Sequence, residues 1–132
     1  MRLIIGGYSQ GKLRYVLQRW GAEVCRVWDG ELPREEQAQE AAAGGRIPVV
    51  NHLHSLVKKR LEQGGCPEEE IAAFAQQHPD CVFISDEIGN GIVPMDAFER
   101  EYRERTGRIQ VELANRAEEV VRVLCGIGQR IK

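Results

Sequence analysis

Gly6-Gly7-Tyr8-Ser9-Gln10-Gly11-Lys12-Leu13 is the stretch on which the reading of this chain turns. It fits the spacing G-x-x-x-x-G-K, with leucine where serine or threonine usually follows. Glycines at such spacing let the backbone curl so that successive N–H groups point at phosphate oxygens, and the helix that follows adds the positive end of its dipole. Lys12 would then reach the β- and γ-phosphates of a bound nucleotide. The plainer alternative is a tight strand-to-helix turn with a solvated lysine. The flanks suit the phosphate-binding reading. Leu3-Ile4-Ile5 is a short apolar run of the kind that forms a buried strand, and Leu13, Val16, Leu17 and Trp20 recur at helical spacing up to Gly21.

Leu13 takes the place of the hydroxyl that coordinates Mg²⁺ in loops of this type. The expectation is therefore a nucleotide site made of Gly6, Gly7, Tyr8, Ser9, Gln10, Gly11, Lys12 and Leu13, with Mg²⁺ held weakly or not at all by the loop.

Outward from the loop, strand-like and helix-like segments alternate. Glu23 to Trp28 reads as a second strand, closed by the turn Asp29-Gly30. Pro33 opens a helix that runs through the alanines to Gly44-Gly45. Ile47-Pro48-Val49-Val50 is apolar but carries a proline, which predicts an edge strand at best. Asn51 is expected to cap a helix running to Gln63, and Pro67-Glu68-Glu69-Glu70 to start another that ends near His78-Pro79. Cys81 to Ser85 is the clearest strand. It leads into the glycine-rich Asp86–Pro94 segment, then a long helix carrying Phe98, Tyr102, Ile109, Leu113 and Ala117 on one stripe. Glu119 to Gly126 reads as a strand, and Ile127 to Lys132 as a short edge strand. Such alternation predicts one α/β domain over residues 1–132, a mostly parallel sheet with helices on both faces.

Composition bounds the function. The 132 residues carry 18 basic and 20 acidic side chains, a net charge of −2 that gives no reason to expect nucleic acid as a partner. No apolar run approaches the length of a membrane span or of a signal peptide's apolar region, so a cytoplasmic protein is expected. The four cysteines show no Cys-x-x-Cys spacing. Cys25, Cys81 and Cys125 lie in apolar stretches and are read as inert buried thiols.

A second constellation stands after the best strand. Asp86 and Glu87 fall at its carboxyl end, where α/β sheets place ligands, and there they would orient Mg²⁺ or accept a proton from a substrate hydroxyl. The alternative is that both are ordinary turn carboxylates.

Ile84-Ser85-Asp86-Glu87-Ile88-Gly89-Asn90-Gly91-Ile92-Val93-Pro94, Thr106-Gly107-Arg108-Ile109 and Gly126-Ile127-Gly128-Gln129-Arg130-Ile131-Lys132 resemble the adenosylcobinamide kinase/adenosylcobinamide-phosphate guanylyltransferase family, as does the Gly6–Lys12 loop. The resemblance covers residues 80–132 nearly throughout and residues 1–30 in part. It implies a three-layer P-loop NTPase fold with RecA-like sheet order, commonly assembled as a trimer. It also implies GTP or ATP as nucleotide and adenosylcobinamide as acceptor, phosphorylated on a terminal hydroxyl and then joined to GMP. Carried over by position, Gly6 to Lys12 would bind triphosphate, Asp29 and Gly30 would lie near the nucleotide and Glu87 at the active cleft; in a kinase Lys12 would stabilise the transferring phosphoryl group and Glu87 would orient the metal or the substrate hydroxyl.

The departures are equally specific. The family's guanylyl-accepting histidine lies on the helix after the second strand, and residues 35–43 contain none. His52 and His54 come later, and one of them could substitute for it, but an i, i+2 pair on a helix points in different directions, which favours solvated or capping roles. His78 reads as a helix-end residue. The family's acidic strand is expected near residues 61–67, where this chain has no apolar strand ending in a carboxylate. Kinase-type transfer is thus better supported than guanylylation, and a non-catalytic nucleotide-binding subunit is the alternative.

Overall fold

The computed structural model describes residues 1–89, 91, 92 and 95–132; Asn90, Val93 and Pro94 of the family-like string lie outside them. The elements run β1 (Arg2–Gly6), α1 (Lys12–Trp20), β2 (Cys25–Asp29), α2 (Glu35–Ala43), β3 (Ile47–Asn51), α3 (Leu53–Glu62), α4 (Pro67–Gln77), β4 (Val82–Asp86), α5 (Ala97–Arg116), β5 (Glu119–Leu124) and β6 (Ile127–Arg130). They build one six-stranded sheet in the order β2-β3-β4-β1-β5-β6. Every neighbouring pair is parallel except β5 and β6. This is the α/β class expected, a mostly parallel sheet with a helical layer on each face.

Strand alternation divides the core in two. Leu3, Val50, Phe83 and Val120 point to one face, where they pack with Leu53, Leu56, Ile71, Phe74, Tyr102, Ile109 and Leu113 of α3, α4 and α5. Their sequence neighbours Ile4, Val49, Val82, Ile84 and Val121 point to the other, against Val16 with Leu13, Leu17 and Trp20 of α1. The connections out of β1 and β4 therefore cross opposite faces, although the two strands are adjacent. A crevice opens between their carboxyl ends for that reason, as at the switch point of other doubly wound sheets.

Three local expectations are corrected. β3 is an interior strand, lying between β2 and β4. Ile47 donates its N–H to Val24 of the β2 side (2.8 Å), so the next residue, Pro48, turns its nitrogen toward β4. Pairing with β4 begins only at Val49↔Val82, so the proline removes no ladder bond. Asn51 ends β3 and caps nothing; the N-cap of α3 is His52, whose side chain makes no capping bond. Residues 61–67 hold no strand, as expected: they are the end of α3, a four-residue link (63–66) and the first residue of α4, and the apolar strand of this region is β3, which ends in an amide. Cys125 is exposed, while Cys25 and Cys81 are buried; burial pushes the Cys81 thiol up to about 12.

Cys125 is exposed because it and Gly126 form the two-residue link of the β5–β6 hairpin. Both have positive φ (53° and 77°), and Leu124 pairs Ile127 directly across it. Two left-handed residues give a turn whose twist matches that of the flanking strands.

Candidate functional site

The Gly6–Lys12 turn leaves β1 exactly where a side chain could not. A Cβ on Gly6 would stand 2.5 Å from the carbonyl oxygen of Val123, so the loop departs flush against β5. Ser9 (φ 54°) and Gly11 (φ 84°) are left-handed, and Gly11 is the N-cap of α1. The loop is also braced from behind. Gln10 accepts two hydrogen bonds from the hairpin turn, its side-chain Oε1 from the N–H of Cys125 (2.7 Å) and its carbonyl from the N–H of Gly126 (2.8 Å). Gly128 lies so close to Tyr15 of α1 that a Cβ would fall 2.4 Å from its ring. The C-terminal Gly-Ile-Gly string thus seats a hairpin on the loop and the helix it starts.

Lys12 is buried, with 7 % of its surface exposed, which discards the solvated lysine. Its Nζ donates to the Gly7 carbonyl at 2.6 Å and pairs with Asp86 Oδ1 at 2.7 Å. Asp86 is the last residue of β4, directly opposite Gly6 in the parallel register. The pair therefore occupies the crevice between β1 and β4. Gln110 of α5 fixes the backbone there, donating to the Asp86 carbonyl and to the Ser85 hydroxyl (both 2.9 Å).

His54 closes the other side of Asp86. Its Nδ1 accepts from the Asp86 backbone N–H (3.0 Å) and its Nε2 lies 3.3 Å from Oδ2. Burial pulls the His54 pKa below that of a free imidazole, outweighing the opposing pull of the Asp86 carboxylate. The ring is thus a neutral one whose Nε2–H faces the carboxylate.

His52 joins the same cluster, contrary to the expectation that two histidines so spaced diverge. The left-handed backbone at His52 (φ 54°) turns its ring back toward His54, and the rings meet edge-on at 5.5 Å. His52 Nδ1 bonds Asp29 Oδ1 at 2.6 Å, and Asn51 Nδ2 donates to the same oxygen at 2.8 Å. Asp29 and Asn51 are register partners at the ends of β2 and β3. A continuous polar row thus runs along the carboxyl edge of the sheet, from Lys12 through Asp86, His54 and His52 to Asp29. Gly30 sits at its end, donating its N–H to the Asn51 carbonyl (2.8 Å).

Glu87 lies on the opposite flank. Its backbone N–H extends the β1 ladder by donating to the Gly6 carbonyl (2.8 Å), and both carboxylate oxygens are taken by Arg122 of β5 (2.8 and 3.0 Å). Tyr8 stands exposed at the loop's tip. The structure thus brings Lys12, Asp86 and the loop glycines together and sets Asp29 and Gly30 at the far end of the same edge. The sequence offered both histidines but not their convergence, because nothing local announces a left-handed residue at His52.

Among the described residues no group of three or more histidine, cysteine, aspartate or glutamate side chains is arranged to hold a metal. Mg²⁺ needs less than that, since it commonly rests on one or two carboxylates, water and substrate phosphates. Of the carboxylates at the loop, Asp86 is the one whose position would suit such an ion. Glu87 is held by Arg122, and Leu13 offers no oxygen.

The sequence profile of the cobinamide kinase/cobinamide phosphate guanyltransferase family matches residues 37–131. The chain belongs to this family. The match takes in the polar row from Asn51 to Asp86, both histidines, Arg122 and the hairpin, and begins beyond the Gly6–Lys12 loop. Two curated family members are similar over a 62-residue segment: the bifunctional adenosylcobalamin biosynthesis proteins CobU of Salmonella typhimurium and of Escherichia coli K12, each 40 % identical to this chain. That segment spans 47 % of this chain and 34 % of either relative, so only about a third of their length is represented. No helix among the described residues is long and apolar enough to cross a membrane.

Proposed function

We propose that this chain binds ATP or GTP at Gly6–Lys12 and transfers the γ-phosphoryl group to a hydroxyl of cobinamide, as a kinase of cobalamin biosynthesis or salvage. The observation that carries the reading is the buried Lys12–Asp86 pair in the crevice between β1 and β4, beside a loop that turns through left-handed Ser9 and Gly11. A lysine so placed is a cation waiting for an anion: when a triphosphate enters, Nζ exchanges Asp86 and Gly7 for the β- and γ-oxygens and stabilises the charge that spreads over them during transfer. Gly11 and the start of α1 offer backbone N–H groups to the same phosphates. Asp86, released by Lys12 and still steadied by His54 and Gln110, would hold Mg²⁺, and the ion would supply positive charge against the phosphates.

Kinase chemistry is favoured over guanylylation because α2, Glu35–Ala43, holds no histidine. Glu87 enters as the residue that ties Arg122 beside the loop.

Purified protein incubated with labelled ATP or GTP, Mg²⁺ and cobinamide should yield phosphorylated corrinoid, and Lys12→Ala should lower that rate on the order of 10²-fold or more. Turnover unaffected by Lys12→Ala would sink the assignment. The second reading, a nucleotide-binding subunit without catalysis, is favoured by Leu13 and by the amide of Asn51 at the end of β3. It predicts equal nucleotide affinity with and without Mg²⁺ and no phosphorylated product.

A further inference from the structure

Among the described residues, the groups able to take a proton beside Lys12 are already engaged, and an open one stands farther along the polar row. Asp86 is shared between Lys12 and His54, Glu87 is clamped by Arg122, and His54 accepts a backbone N–H through Nδ1. His52 differs. Its Nδ1 faces the Asp29 carboxylate at 2.6 Å. Because a carboxylate only accepts, Nδ1 carries the hydrogen and the Nε2 lone pair points away, with no partner among the described residues. The side chain is half exposed, so Nε2 opens to the carboxyl edge of the sheet.

Two further features show that this orientation is held. Asn51, itself buried, donates to the same Asp29 oxygen (2.8 Å) and so fixes the carboxylate. His52 also keeps a left-handed backbone, φ 54°, which a side-chain-bearing residue adopts at a cost. The neutral ring of His54 backs it at 5.5 Å. A carboxylate-oriented imidazole with a free Nε2, on the same sheet edge as the Lys12–Asp86 pair, is an arrangement able to activate a hydroxyl.

Building on the kinase reading above, we propose that His52 is the general base for the acceptor hydroxyl, with Asp29 as its positioning residue. The acceptor oxygen forms a bond to the γ-phosphorus as the bond from that phosphorus to the β–γ bridging oxygen breaks. The nucleoside diphosphate leaves with that electron pair. The acceptor's proton passes to His52 Nε2, giving an imidazolium held by Asp29, and is later released to water. The charged and titratable groups that face His52 are Asp29 from β2 and His54 from α3, with Asp86 of β4 and Lys12 of α1 beyond His54.

The decisive variant is His52→Gly, because glycine accepts φ 54° without strain and the fold should be kept. Single-turnover transfer from ATP or GTP to cobinamide, in the presence of Mg²⁺, is measured across pH together with nucleotide affinity. The expected result is a rate lowered about 10²-fold or more with nucleotide affinity unchanged, loss of the acidic limb of the wild-type pH profile, and partial recovery on adding imidazole. Asp29→Asn should fall in the same direction, by about tenfold. A full rate with an unaltered pH profile in His52→Gly overturns the role of His52 and leaves the kinase reading standing. So does an acid-labile label on wild-type protein that His52→Gly abolishes, since His52 would then be a nucleophile. If the wild-type protein transfers nothing to cobinamide, the kinase reading itself fails and this role goes with it.

Discussion

Leu13 concentrates the conflict between folding and chemistry in one side chain. It stands in the first turn of α1 and packs, partly buried, against the core face shared with Val16 and Ile84. A serine there would give up roughly 1 kcal/mol of apolar burial, about half the value of a fully buried leucine, and, under the proposed kinase reading, would offer a bound Mg²⁺ the loop oxygen that leucine cannot. Leu13→Ser should therefore lower the midpoint of urea unfolding while raising Mg²⁺-dependent turnover by roughly tenfold, the lower range for restoring a group that supports a metal. Unchanged metal dependence would show that the loop never contributes to the metal at all. Lys12 and the glycines around it were legible from the sequence because their spacing is local. His52 was not, since its role depends on a backbone angle that the residue type does not announce.

Helices and strands here are fastened at their ends by charge pairs, and one of these gives a clean pH signature. Glu68, in the first turn of α4, is gripped by Arg105 of α5 through two bonds of 2.7 and 2.8 Å. The guanidinium holds its pKa down at about 2, well below the ordinary glutamate value of 4.5. A carboxyl whose folded pKa is depressed adds stability that is complete above its unfolded pKa and lost as pH falls through the folded one. The Glu68–Arg105 pair should thus act fully above about pH 4.5 and fade toward pH 2. Both side chains retain a quarter or more of their exposure, so solvent screening limits the gain to about 1 kcal/mol. Urea titrations of Glu68→Gln should show that deficit at pH 7 and a shrinking one below pH 4.5; a deficit constant with pH would rule out the ionic origin. At this scale the sequence was readable wherever a glycine or proline punctuates an element, as at Gly21, Gly44 and Pro67. The interior position of β3 was not, because whether Pro48 spoils a ladder depends on which side its nitrogen faces and where the neighbour's pairing begins.

At the scale of the molecule, the sheet order makes the proposed ligand a stabiliser of distant parts. Alternating strands and helices foretold a parallel sheet, but only the order β2-β3-β4-β1-β5-β6 puts Gly6 opposite Asp86 and sets β2 at one margin, with Asp29 at its tip. A triphosphate seated on the loop would engage β1 and α1 directly, β4 through Asp86, and β5–β6 through Gln10 and the hairpin turn that grips it. Within the sheet β2 pairs only with β3, and beyond that it reaches the loop only by the longer relay from Asp29 through His52 and His54 to Asp86 and by packing on α1. Ligand present at about 100 times its dissociation constant adds about 2.7 kcal/mol to the global stability. For a chain of this size that corresponds to a rise in melting temperature of roughly 10 °C. Beyond the global term, amide exchange should slow most at the Cys125–Gly126 turn and along β1 and β4, and least along β2, because local openings that leave the ligand bound are not suppressed by it. Gln10→Ala removes the side-chain half of the brace. It should abolish the added protection at Cys125 while leaving that at β4 in place, since Lys12 and Asp86 do not pass through Gln10. Equal loss of protection at both places would mean that the loop and the hairpin move as one body, and that the brace is a consequence of the loop's shape and not a cause of it.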